Sequence, residues 1–304
     1  MTSPSPARRT GALLAGASAV GFASKGIFAK LLYARGWDFE SVLTVRAILA
    51  LPLVWAWSLW RAGPASMRGL RPNAIAGAAA AGVFCYFFGA LLNFYALTVI
   101  AASIERVLLF TYPSMVVLLH AMLHRRRPTR RAAAALALTY LGILLVVGGP
   151  DIGILKNNLY GAGLVLVCAF TFAVYYLASD RWTRELGSAP FTVIALSAAT
   201  VALVVYGLAA HGSVASVHGG VADAWLMAGL VMFATVFPML LMTEGVRRLG
   251  AQRSAIVSTI GPPATLFLGA LFLGERLSPI QWGGAAIILA GILLMQSDSA
   301  PATP

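Results

Sequence analysis

Acidic side chains are scarce in this chain: ten Asp and Glu in 304 residues, against 22 Lys and Arg. Charge of either sign amounts to 11%, where a soluble domain carries roughly 25%. Hydrophobic residues make up 60%, with a mean hydropathy of +0.84, so a water-soluble globule is excluded. Cysteine is nearly absent. Cys85 and Cys168 both sit inside apolar runs, which leaves neither a disulfide framework nor a cysteine-rich metal site. The sequence also lacks G-x-x-x-x-G-K-[ST], H-E-x-x-H and G-x-S-x-G, so an ATP-driven pump and a hydrolytic membrane enzyme are without their usual parts. His120 with His124, and His211 with His218, have no carboxylate or cysteine at metal-ligand spacing. No metal and no cofactor is expected.

Long apolar runs fill the space that charge leaves. A helix needs about 20 apolar residues to cross ~30 Å of hydrocarbon. Runs bounded by charge, Pro or Gly give ten candidate helices, at about 11–33, 39–60, 73–98, 101–123, 130–149, 158–179, 189–210, 222–246, 252–273 and 279–296. The predicted fold is therefore an all-α membrane protein. Arg8 and Arg9 ahead of Gly11 imitate a secretory signal, but the apolar stretch continues past Lys25 to Tyr33, which reads as an uncleaved first span. The basic residues could suggest nucleic-acid binding. They fall instead in short clusters between spans: Arg125 to Arg127, Arg130, Arg131, Arg247, Arg248 and Arg253 on one side, against Lys30, Arg35, Lys156 and Arg276 on the other. That asymmetry places both termini in the cytoplasm, with the bilayer rather than nucleic acid as partner.

The chain also matches itself at an offset of 149 residues. Pro113 falls on Pro262, Arg127 on Arg276, Thr129 on Ser278, and Gly142 to Leu145 on Gly291 to Leu294. Two repeats of five spans follow, at 11–149 and 158–296, with a tail at 1–10, a linker at 150–157 and a tail at 297–304. An odd number of spans inverts the second copy, and inverted repeats with a site at their interface are an architecture of secondary transporters.

Two segments carry a family resemblance. Leu249 to Leu294 (LGAQRSAIVSTIGPPATLFLGALFLGERLSPIQWGGAAIILAGILL) resembles the second repeat of the EamA branch of the drug/metabolite transporter superfamily, including Gly-Glu-Arg-Leu-Ser at 274–278. Ser24 to Arg46 and Asn93 to Leu119 resemble the first repeat, with His124 to Arg127 standing where a Gly-Glu-Arg turn is expected. The resemblance implies a ten-helix carrier, often an exporter of amino acids or related metabolites, working by alternating access in the inner membrane. It leaves the cargo open.

Ionisable groups within spans are costly, at least ~2.5–3.5 kcal/mol each at the bilayer centre, and so face a cavity or a partner. Lys25, Lys30, Arg46, Glu105 and Arg106 are such groups, all in the first repeat. Four cations against one carboxylate predict an electropositive cavity suited to a small carboxylate-bearing cargo. Lys30 and Arg106 can instead reach the interface, and Arg46 can pair with Glu105. Glu105 is the one acidic residue placed inside a span; it reads equally as a proton carrier or as half of a permanent salt bridge. Pro113 and the pair Pro262 and Pro263 interrupt helices at matching positions, freeing carbonyls near the binding site. Asn93, Tyr112, Tyr175 and Thr259 are the polar residues assigned to substrate there. A membrane-embedded enzyme or lipid-handling protein is the rival reading. Green fluorescent protein fused after Pro304 is expected to fluoresce in cells, and alkaline phosphatase fused at the same place to be inactive; the opposite pattern would overturn the cytoplasmic C-terminus.

Overall fold

A computed structural model describes residues 6–123, 130–148, 152–216, 219–249, 254, 257–276 and 278–298. Among these residues there is no strand. Fourteen α-helical pieces follow in chain order: α1 Pro6–Ala23, α2 Lys25–Tyr33, α3 Phe39–Ala62, α4 Pro72–Gly82, α5 Ala90–Val99, α6 Ala102–Leu109, α7 Tyr112–Leu123, α8 Arg130–Gly148, α9 Ile152–Leu186, α10 Ser188–His211, α11 Val221–Val231, α12 Phe237–Leu249, α13 Gly261–Leu273 and α14 Pro279–Asp298. Among the described residues, seven stretches, 10–33, 39–62, 72–99, 102–123, 158–186, 188–211 and 221–249, are long and apolar enough to cross a bilayer. The ten-span expectation also counts 130–149, 252–273 and 279–296, where the chain forms α8, α13 and α14.

Local chemistry explains the boundaries. Asp38 caps α3 by accepting from the Ser41 amide at 2.7 Å, and Gly63, at φ +71°, ends it. Pro72 opens α4, where its missing N–H costs nothing. Two features differ from the sequence reading. The first span, 10–33, carries one tightened turn at Ser24: its backbone stays helical at φ −77° and ψ −12°, while its amide bonds the Gly21 carbonyl at 3.1 Å and its hydroxyl donates to the same carbonyl at 2.8 Å. Helix α9 is longer at both ends, starting at Ile152 within the expected linker and running to Leu186. Its last turns are polar and carry the Asp180–Arg184 pair at 3.0 Å, one helical turn apart.

Two interruptions recur at the 149-residue offset. The stretches Pro72–Val99 and Val221–Leu249 each contain a π-helical turn, Val83–Gly89 and Met232–Val236. Similarly, α6 stops at Leu109 before α7 begins at Tyr112, and a 3₁₀ turn at Ser258–Ile260 precedes α13. Pro113 is the second residue of α7, and Pro262 and Pro263 lie in the first turn of α13. Helix α9 has no counterpart of the Ser24 turn.

Packing forms two buried clusters. One is built from α4, α6, α7, α9, α14 and neighbours, the other from α2, α3, α5, α10, α11 and α12; Phe22 and Tyr86 pack against both. Small residues bring backbones close. A Cβ at Gly142 would sit 2.7 Å from the Gly284 carbonyl oxygen, and one at Gly82 only 2.0 Å from that of Ala195. Gly82→Ala is therefore expected to destabilise the protein by roughly 1–3 kcal/mol in thermal melts followed by size exclusion. Gly163→Ala, with no atom within 4 Å of the added carbon, should not.

Candidate functional site

The Ser24 turn places Lys25 at the first position of α2, turned inward toward α5 and α6. Its Nζ donates to Asn93 Oδ1 and lies 3.3 Å from Glu105 Oε1. Asn93 Nδ2 in turn donates to the same Glu105 oxygen at 2.5 Å. All three residues are buried, Glu105 to 1% exposure. The trio is internally consistent: ammonium and carboxylate compensate each other, and the carboxamide uses its oxygen toward the cation and its nitrogen toward the anion. Glu105 thus pairs with Lys25, not with Arg46.

Helix α6 owes its position to a carboxylate from far along the chain. Glu275, just past the end of α13, accepts from the Ala102 amide at 2.8 Å, the Ser103 amide at 3.0 Å and the Ser103 hydroxyl at 2.5 Å. Those amides have no partner within α6, and negative charge there suits the helix dipole. Gly274, at φ +63°, turns the chain so that Glu275 reaches them. This gives the Glu of Gly-Glu-Arg-Leu-Ser a structural role. The cap fixes the first turn of α6, from which Glu105 and Arg106 project in different directions.

Arg46 and Arg106 are buried but not ion-paired among the described residues. Their guanidinium carbons lie 4.9 Å from the ring centroids of Phe94 and Phe110 respectively, a cation–π distance. The Nε of each has no hydrogen-bond partner among the described residues. Arg106 makes one long contact, from Nη2 to the Ala19 carbonyl at 3.4 Å. Beyond Arg106, Tyr112 and Tyr176 share a hydrogen bond at 3.1 Å, and the Tyr176 hydroxyl lies 3.2 Å from Met242 Sδ.

These groups surround one cavity, about 710 Å³ of space including its opening. Lys25, Arg46 and Arg106 supply its charge; Asn93, Tyr86, Tyr112, Tyr176, Ser18 and Ser258 supply hydrogen-bonding atoms; Phe22, Phe94, Phe110 and Phe172 supply apolar wall. Phe22 and Tyr86 join the two buried clusters, so the cavity lies where those clusters meet. Of the residues assigned from sequence, Lys25, Arg46, Asn93 and Tyr112 line it. Glu105 stands behind Lys25 and Asn93. Tyr175 is also set back, its ring 4.8 Å from Tyr86 and 5.5 Å from Phe191. The Thr259, Pro262 and Pro263 side chains lie outside the described residues.

Sequence reading left Arg106, Tyr176 and the four phenylalanines off the substrate list. Arg106 carried a usable signal, being a second charge beside Glu105 in an otherwise apolar stretch. The phenylalanines carried none, because Phe is equally at home facing lipid. Removing one member of the buried pair is expected to cost roughly 3–5 kcal/mol, so Glu105→Ala should lower the melting temperature well below that of the double variant Lys25→Met, Glu105→Leu. Equal losses would mean that the pairing contributes nothing.

The pattern of the EamA-like transporter family matches residues 9–148 and again residues 159–297. Uncharacterized transporter YcbK of Bacillus subtilis (strain 168) is 33% identical over 284 residues, 89% of this chain and 88% of its own. Uncharacterized inner membrane transporter YicL of Salmonella typhimurium (strain LT2) is 26% identical over 201 residues, 65% of each chain. A crystal structure of a protein superposes with a TM-score of 0.67 at 15% identity, covering 94% of this chain and 96% of that one. At that identity the likeness is one of fold alone.

Proposed function

Because the chain belongs to the EamA-like transporter family, a family of multi-pass membrane proteins, we propose that it carries a small carboxylate-bearing metabolite, an amino acid or a related compound, out of the cell across the inner membrane. Ten spans in two inverted sets of five, with both termini in the cytoplasm, alternate the access of the central cavity from one side to the other. The observation that supports this reading most is the pair of buried arginines on the cavity wall, each lying against a phenylalanine ring and neither in an ion pair among the described residues. An unpaired guanidinium is expensive in an apolar surround and strongly attracts a planar carboxylate, which it can bind through two parallel N–H donors. The aromatic wall receives the rest of the cargo.

Glu105 is the carboxylate through which a proton gradient would act. Protonating it would release Lys25 from its pairing, and the freed ammonium would become a third partner for the cargo. Proton exchange and cargo binding would then be linked through one bond. The broken helix ends at Leu109 and at Ser258–Ile260 border the cavity and give the two sides places to bend.

In proteoliposomes, wild-type protein is expected to move at least one amino acid or related carboxylate, and Arg46→Ala to reduce that flux by a factor of about ten or more while eluting as a monodisperse peak. Undiminished flux in the variant would remove Arg46 from the site. Repeating the assay with an imposed pH gradient tests the coupling. Glu105→Gln should make the flux indifferent to the gradient if Glu105 carries the proton.

A further inference from the structure

We propose that the cargo is a dicarboxylate: a small molecule with two carboxylates joined by an apolar spacer. This rests on the carrier reading above and concerns the same cavity.

The inference comes from charge accounting. Three cations line the cavity, and Lys25 is already compensated by Glu105. Arg46 and Arg106 remain, buried to 8% and 5% exposure, each with an Nε that meets no acceptor among the described residues. The chain has only ten carboxylates to offer. Asp38 and Glu275 are committed to capping α3 and α6. Glu40 faces His211 and Tyr206, Asp180 faces Arg184, Glu185 faces Arg71, Asp223 faces Arg35, and Glu244 faces Arg247 and Arg248. Asp151 and Asp298 lie outside the described side chains. No described carboxylate forms an ion pair with either arginine, and the three cations set against the single carboxylate of Glu105 leave two positive charges in excess at the site.

The two charges come from different helices. Arg46 comes from α3 and lies over Phe94 of α5; Arg106 comes from α6 and lies over Phe110, with its Nη2 reaching the α1 carbonyl of Ala19. The two guanidiniums come from different helices and lie against different rings, so each can hold a carboxylate of its own. A guanidinium that lies against a ring can still offer its N–H donors to a carboxylate. Phe22, Phe94, Phe110 and Phe172 line the same cavity, and that wall suits a spacer without hydrogen-bonding groups. A monocarboxylate would leave one buried guanidinium unanswered; a single phosphate would occupy one of the two.

The test is binding to the purified full-length protein in detergent at fixed ionic strength, by thermal stabilisation and calorimetry. Succinate, glutarate and adipate are compared with butyrate, glutamine, inorganic phosphate and glycerol phosphate. At least one dicarboxylate is expected to bind about tenfold or more tightly than butyrate, glutamine or either phosphate. Arg46→Gln and Arg106→Gln should each erase that preference, so that mono- and dicarboxylates bind alike. Arg46→Lys and Arg106→Lys retain the charge, and with it part of the preference, which separates lost recognition from lost folding. Wild-type protein that binds monocarboxylates or amino acids as tightly as dicarboxylates overturns the inference and leaves the carrier reading standing. Phosphate or glycerol phosphate binding more tightly than every dicarboxylate overturns the assignment of one carboxylate to each arginine. Proteoliposomes that transport none of these anions but do transport a neutral or cationic metabolite overturn both readings.

Discussion

The ammonium of Lys25, the carboxylate of Glu105 and the carboxamide of Asn93 are tolerated in the apolar interior only as a set. Each alone would carry a desolvation penalty of several kcal/mol in such surroundings; together, the ammonium meets the carboxamide oxygen and Glu105 Oε1, and the carboxamide nitrogen meets the same carboxylate oxygen. Because the three sit on α2, α5 and α6, satisfying them fixes how those helices stand relative to one another. Much else depends on that arrangement. The Ser24 turn stands at the position that starts α2 with Lys25, and the cap on α6 orients the helix that bears Glu105. Arg106 reaches the cavity because its neighbour is turned away into the trio.

The interruptions in the helices have a common physical meaning. A continuous α-helix satisfies its own amides and carbonyls and presents little to a ligand. The tightened turn at Ser24, the breaks at Phe110–Thr111 and at Ser258–Ile260, and the π turn at Val83–Gly89 all border the cavity through Lys25, Phe110, Tyr112, Ser258, Cys85 and Tyr86. Irregular backbone in a membrane protein survives where it is enclosed by protein or lines a polar space, and π turns gather at functional sites.

Much of this was legible in the amino-acid sequence for identifiable reasons. Hydropathy reports membrane residence directly, because spans must be apolar. Intramembrane charge is so costly that Lys25, Arg46 and Glu105 stood out without any structure. What stayed hidden depends on direction. Sequence places Glu105 and Arg106 side by side but does not say that one faces α2 and the other faces the cavity, or that Arg46 lies over a ring instead of beside the carboxylate. Ser24 gave no warning of a tightened turn because serine is unremarked in a membrane helix. The π turns are invisible for the same reason, since no residue type demands them. Tyr175 and Tyr176 are adjacent and chemically alike; only the helix rotation decides that Tyr176 lines the cavity while Tyr175 packs behind it.

The bond from Glu275 to the start of α6 also has a meaning in time. Ala102 and Ser103 must wait for a carboxylate made 173 and 172 residues later, roughly ten to thirty seconds at ordinary rates of synthesis. Until then the first amides of α6 lack this cap, and the wall of the cavity lacks Tyr176, Met242 and Ser258, which follow later in the chain. The first half alone thus holds both arginines but only part of the wall that encloses them. Maturation of the site ends only when the loop after α13 arrives.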